Sequence, residues 1–466
     1  MVPVQTNHAL RPPVHTRGQR GYTPPAAVAG GEAGIPYLAS DLANPARRLA
    51  FFAGLALLFL RLSMLHQILG YVTRVNFYPL YVFGLPALAG VLLSGGLRRT
   101  YEGRPAYYWT GFAICMVIAV PFSTWRGGSF GLTLSYLEKD FIMLFVVAGL
   151  ALTWAECKLM MSCAVLGGLV NVLSAPLFQG GDDGRLGLEF GSIANANDYA
   201  AHLLFILPFL LWAVLNRGSA KILRVAALFA IAGGAYMVLR TASRGGEIAL
   251  GVELLAVFLW ATATTRLVIG VLAPFLLAAS LALMPPATLQ RLRSFSTDDP
   301  LASQEALESS NARRYLLGKS IEYTFTHPIV GVGPGQFSAY EGGHNTVLGS
   351  HGLWHETHNS YTQVSSECGI PALLFFVAGI GSTFLLLRRT YRQARARPDC
   401  RDIAVATFCL MVALAGFCTA ITFLTFGYFV YLPAMLGLSI AVTRAARIEF
   451  QTRQLQTVPA APAFAR

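Results

Sequence analysis

The stretch His355-Glu-Thr-His-Asn-Ser-Tyr-Thr-Gln-Val-Ser-Ser-Glu-Cys-Gly369 decides how this chain reads. It closes the one long polar loop of an otherwise apolar sequence and runs straight into a hydrophobic segment that starts near Ile370. Two His, an Asn and two Glu at a membrane boundary are costly unless they pair or work. What they do depends on where the rest of the chain puts them.

Composition sets the class. Of 466 residues 12% are charged, where a soluble chain carries about 25%. Apolar runs of about 18 residues or more recur, the mark of a polytopic membrane protein. The net charge of +12 is therefore read as topology, not as nucleic-acid affinity, since no basic patch is interleaved with aromatics. The seven Cys form no CxxC pair, so neither a disulfide framework nor a zinc site is indicated. Cys115, Cys163, Cys409 and Cys418 sit inside apolar runs, Cys157 and Cys400 at expected cytoplasmic edges, and Cys368 near the outer face.

Windows of ~20 apolar residues predict an all-α polytopic membrane protein with roughly 12 transmembrane helices. Their centres fall near Leu58, Pro86, Met116, Val146, Gly167, Ile206, Phe229, Leu254, Phe275, Ala378, Ala413 and Leu436. The expected division is a disordered cytoplasmic tail over 1–47, spans one to nine over 48–284, a catalytic loop over 285–369, spans ten to twelve over 370–443 and a cytoplasmic tail over 444–466. The N-terminal tail is rich in Pro, Gly, Ala and Arg, and no signal peptide is expected before the first span. Arg98, Arg99 and Arg104, then Arg217, Lys221 and Arg224, then the run Arg388 to Arg401 mark cytoplasmic loops. The long loop then lies outside, on the periplasmic face of a bacterial inner membrane. Within it, Asp298-Asp-Pro300 signals a turn, and Leu316, Leu317, Ile321 and Phe325 predict one helical face.

The same topology sends Arg185, Arg244, Arg313 and His358, from four parts of the chain, to the outer face. Arg grips phosphate through a planar fork of donors. With no ATP on that side, a lipid-linked pyrophosphate is the natural ligand. Each residue also has an ordinary reading. A lone Arg at an interface snorkels to headgroups, and Arg240 and Arg314 read as structural. His344, His351, His355 and His358 together suggest a metal cluster, but the spacing is not HExxH and no metal is assigned. Gly331 to Gly335 lacks the Lys-Ser/Thr of a phosphate loop and reads as a turn. Asn197 and Asp198 read as helix caps first and ligands second.

Four segments together resemble the O-antigen ligase family, whose superfamily includes O-antigen polymerases and protein O-oligosaccharyltransferases. They are Arg185 with Asn197-Asp198-Tyr-Ala200, then Thr241-Ala-Ser-Arg244-Gly245, then Arg313 with His327-Pro-Ile-Val-Gly-Val-Gly-Pro-Gly-Gln-Phe337, then His358-Asn359 with Glu367-Cys-Gly369. Leu317 stands where the family often has a Trp. The resemblance implies an all-helical, C-type glycosyltransferase-like fold. It implies transfer of a glycan from undecaprenyl pyrophosphate to a periplasmic acceptor (lipid A-core, a growing glycan or a protein), metal-independent and without cofactor; attack opposite the leaving pyrophosphate would invert the anomeric centre. Arg185, Arg244 and Arg313 would hold the pyrophosphate, His358 would be the general base, and Asn359 and Glu367 would support it. A polysaccharide polymerase of the same superfamily is the alternative. A lipid-linked sugar transporter is another, for which Arg61 and Glu253 are the main mid-span charges.

Overall fold

The structure, a computed structural model, describes residues 38–180, 185–261, 263–286, 288–289, 304–344 and 354–457. Gly184, the Asp298-Asp-Pro300 turn, His351 and the side chain of His344 lie outside the described residues. Apart from one antiparallel pair, Gln179–Gly180 with Gly187–Leu188, the described regular structure is helical. A short helix, Leu38–Ala43, stands as a unit of its own.

Among the described residues six helices are long and apolar enough to cross a membrane: Arg104–Phe122, Trp154–Leu177, Ala196–Leu215, Lys221–Arg240, Ser360–Arg395 and Pro398–Phe423. A seventh is counted if Pro45–Ser63 and Leu65–Thr73, bent by 70° at Met64, form one span. Among the described residues, the windows near Phe275 and Leu436 also fall on helices of 20 and 27 residues, and three other windows fall on shorter ones. The window near Pro86 is a helix of 15 residues and that near Leu254 one of 17. The window near Val146 is a nine-residue helix, Ile142–Leu150, which follows a π-helical turn over Leu137–Phe141. A hydropathy window senses transfer free energy and not helix length, whereas ~20 residues in one helix are needed to span hydrocarbon.

Two helices form the centre. Ala196–Leu215 and Pro398–Phe423 bury 78% and 72% of their apolar windows, against 28% for Lys221–Arg240. Such all-round apolar helices can be buried on every side. Trp109, Phe112, Tyr136, Phe376 and Tyr428 make a further buried aromatic cluster, and the Trp109 indole donates to the Tyr136 hydroxyl at 2.9 Å.

Arg99, a topological marker by sequence, has structural partners, and so do Arg47 and Arg444. Arg99 is 1% exposed and donates from Nε to the Gly149 carbonyl at 2.7 Å. Arg444 reaches the Ala148 carbonyl at 2.6 Å and Arg47 the Leu150 carbonyl at 2.8 Å. The last carbonyls of the Ile142–Leu150 helix have no intrahelical partner and carry its negative end, so three guanidiniums gather there.

The long-loop helix, Gln304–Thr326, departs from the expected face. Leu316 is buried, but Leu317, Ile321 and Phe325 are exposed. Ser320, Tyr323 and Thr324 turn inward instead. Tyr323 hydrogen-bonds Glu341, and the Thr324 and Ser365 hydroxyls meet at 2.7 Å. Polar pairing sets the buried face here.

Candidate active site

The site is best built from Gly369 backwards. The Ser360–Arg395 helix is broken at Gly369, where φ is 86°. A Cβ there would also lie 2.2 Å from the Ile329 carbonyl oxygen, so no larger residue fits. The break lets the Gly331–Gly335 segment pair with the helix backbone: Val332 N–H donates to Ser366 O at 2.8 Å, Gly333 N–H to Glu367 O at 3.0 Å and Ile370 N–H to Pro328 O at 2.8 Å. That segment is irregular as expected, with positive φ at Gly331, Gly333 and Gly335.

Glu367 is 3% exposed and fully engaged. Its carboxylate accepts from Gly335 N–H at 3.0 Å, Phe337 N–H at 3.2 Å and the Tyr428 hydroxyl at 2.8 Å. It accepts at the start of the Phe337–His344 helix and ties the long loop to the turn before the Tyr431–Thr457 helix. Asn359 is equally committed. It is the N-cap of the Ser360–Arg395 helix and its side-chain oxygen accepts from Tyr361 N–H at 3.0 Å and Thr362 N–H at 3.1 Å.

His358 directly precedes this cap in a left-handed conformation, φ 51°. Such a conformation is uncommon outside glycine, although His is among the residues that adopt it more often. Its N–H donates to the Thr425 hydroxyl at 3.1 Å. Burial first, then the charge of Arg313 and then that of His355, pushes its imidazole down from 6.5 to about 4. At neutral pH the ring is therefore uncharged and has a nitrogen able to take a proton. Arg313, on the Gln304–Thr326 helix, is thereby within electrostatic reach of His358.

The two upstream segments are joined through Arg185. Arg185 donates from Nε to the Thr241 carbonyl and from Nη2 to the Asn197 side-chain oxygen, both at 2.9 Å. Arg244 opens the Arg244–Trp260 helix, and Ser243 caps it by accepting from Gly246 N–H at 3.2 Å. The Ala196–Leu215 helix is capped by Asn195, not by Asn197 or Asp198. Asn197 holds Arg185 instead, and Asp198 lies within electrostatic reach of Glu356, two residues before His358.

The short stretch from Phe423 to Phe426 connects these parts, and sequence reasoning missed it. A Cβ on Gly245 would come within 2.7 Å of Phe423, so the Ser243-Arg244-Gly245 turn lies directly against that ring. On the same stretch, Thr425 receives His358, while the Ser360 hydroxyl donates to Leu424 O at 2.7 Å and accepts from Phe426 N–H at 2.8 Å. Gly427 N–H donates to the Gln363 side chain at 3.0 Å. A polar break, Thr425-Phe-Gly427, between the last two apolar windows was the signal available in the sequence. The cation of Arg244 and the imidazole of His358 thus belong to turns seated on one shelf, with Arg185 bonded into the first turn and Arg313 acting on the second.

Among the described residues no three His, Cys, Asp or Glu side chains group to hold a metal ion. Of the mid-span charges, Arg61 pairs with Asp140 from the π-helical turn, and Glu253 is buried against Gly416. No curated protein matches the chain. The family model described as O-antigen ligase matches residues 226–377, which include Arg244, Arg313, His358, Asn359 and Glu367, while Arg185 lies outside the match. Its helices are those of a multi-pass membrane protein, and the match over residues 226–377 supports a relationship to the O-antigen ligase superfamily, whose members process glycans at membranes.

Proposed function

We propose that the protein transfers a glycan from undecaprenyl pyrophosphate to an acceptor hydroxyl on the periplasmic face of a bacterial inner membrane. The observation that carries this reading is the neutral His358 and the Arg244 turn on one shelf, with Arg185 and Arg313 joined to its two sides. In the reaction, the bond from the anomeric carbon to pyrophosphate oxygen breaks and its electron pair leaves with the pyrophosphate. The acceptor oxygen forms the new bond from the opposite side, which inverts the anomeric centre. The acceptor proton goes to the His358 imidazole. Arg185, Arg244 and Arg313 neutralise the leaving group in a partly dehydrated site, where fixed charges act strongly. Asn359 and Glu367 act through structure: one sets the His358 turn, the other anchors the loop behind it. No step in this scheme draws on a metal or cofactor.

The test is His358→Asn in the full-length protein. Asn also tolerates the left-handed conformation, so the backbone is kept while the base is lost. Transfer should fall about 10²- to 10⁴-fold, with undecaprenyl pyrophosphate still bound. A fully active variant, or activity abolished by chelator and restored by a divalent ion, refutes the scheme.

The shared motifs leave lipid A-core, a growing polysaccharide and a protein as acceptors. A transporter reading draws on the bend at Met64 and on buried Glu253. Release of free undecaprenyl pyrophosphate by purified protein given donor and acceptor separates transfer from transport.

A further inference from the structure

Beside the shelf lies a cavity of about 360 Å³ that none of Arg185, Arg244, Arg313 and His358 lines. Its walls include Arg61, Asp140, Glu356 and Gln363, with Tyr136 and Tyr428 supplying ring surface. Its size is within the roughly 300–1,000 Å³ of small-molecule sites. Thr425 also lines it, and the same Thr425 hydroxyl accepts the His358 N–H. The cavity and the His358 turn therefore meet at Thr425.

The chemistry of the walls selects the guest. Phosphate is disfavoured, because Asp140, Glu356 and Glu367 contribute three carboxylates and Arg61 is already paired with Asp140. A purely apolar guest is disfavoured as well. The Arg61 Nε is buried without a hydrogen-bond partner, and Gln363 spends only its carbonyl oxygen on Gly427, which leaves amide donors. Glu356 is exposed toward the cavity rim and offers carboxylate acceptors. A neutral molecule with many hydroxyls and flat C–H faces satisfies donors, acceptors and aromatic surfaces together.

We propose that this cavity holds a saccharide unit by its hydroxyl groups, next to His358 and apart from the arginines that hold pyrophosphate. The proposal rests on the glycan-transfer reading and adds which residues grip the sugar. The division of labour follows from charge: arginines of the turns for the leaving group, and in the cavity, where Arg61 is paired with Asp140, carboxylates and an amide for hydroxyls. The sugar belongs to the donor's glycan or to the acceptor, and kinetics tell them apart.

Two measurements on the full-length protein in lipid nanodiscs test it. The first is saturation-transfer NMR with a soluble oligosaccharide released by mild acid from the surface polysaccharide of the cells that make this protein. Wild type should transfer saturation to the sugar protons, Glu356→Ala and Asp140→Asn should lose about tenfold in affinity, and Arg244→Ala should keep the signal. Because Glu356 is exposed, its variant carries the test even if Asp140→Asn misfolds. The second is a transfer assay, in which Glu356→Ala should raise KM about tenfold for the one substrate, donor or acceptor, that carries the bound sugar. An unchanged signal and unchanged KM values in Glu356→Ala overturn the proposal. The glycan-transfer reading fails separately, if Arg244→Ala and His358→Asn stay active while Glu356→Ala still loses the saccharide.

Discussion

An imidazole pushed down to about 4 changes the acid limb of the pH–rate profile, and this is the sharpest expectation for the site. If His358 is the base, kcat/KM follows its neutral fraction in the free enzyme. With a pKa of about 4, about nine-tenths of the protein keeps a neutral His358 at pH 5, and the rate there stays near its pH 7 value. An ordinary histidine at about 6.5 is only about 3% neutral at pH 5, and the rate would fall about 25-fold between pH 7 and pH 5. The assay is initial-rate transfer with purified protein in nanodiscs, taken from pH 7.5 to the lowest pH at which the protein stays folded. Arg313 gives the experiment its second arm. Its charge disfavours the imidazolium, so Arg313→Gln should raise the midpoint toward 6.5 and expose the acid limb at milder pH. The rise should be partial, because burial is the larger cause of the shift. An acid midpoint near 6.5 in wild type, or an Arg313→Gln midpoint that moves down, refutes the buried neutral base.

Arg244→Ala and Arg185→Ala should abolish transfer, and Lys at either position should restore only part of it, since a point charge cannot reproduce the bidentate fork; full activity in both Ala variants removes the pyrophosphate clamp. Arg185→Ala should in addition loosen the Thr241 turn, measurable as faster hydrogen exchange there, because the side chain bonds Thr241 O and Asn197. Glu367→Ala should lower the melting temperature strongly, for it strands Gly335 N–H and Phe337 N–H, each unsatisfied donor costing about 1–3 kcal/mol, and removes the Tyr428 hydroxyl bond. Unchanged stability in that variant denies Glu367 its anchoring role. A reporter fused near Gly342 should read periplasmic and one at the C-terminus cytoplasmic; a cytoplasmic reading at Gly342 overturns the sidedness on which the site depends.

Composition and apolar windows alone determined that the chain is a helical membrane protein, because the cost of moving a segment into hydrocarbon is a local, additive property of its residues. The motifs around Arg185, Arg244, Arg313 and His358 were legible for a similar reason: a turn such as Thr241-Ala-Ser-Arg-Gly245 or a cap such as Asn359 is written in consecutive residues. Tertiary structure decided what no window can carry. Helix length and the bend at Met64 depend on packing, so three windows fell on shorter helices. The buried face of Gln304–Thr326 was set by hydrogen bonds from Tyr323 and Thr324 to partners outside that helix, which apolar spacing does not record. Arg99 reads in the sequence as a cytoplasmic-loop cation, and the fold gives it a carbonyl partner 50 residues away. The shelf from Phe423 to Phe426 and the Arg61–Asp140 pair join segments more than 60 residues apart. Buried polar atoms must find partners wherever the fold provides them, and a sequence lists the donors and acceptors without saying which will meet.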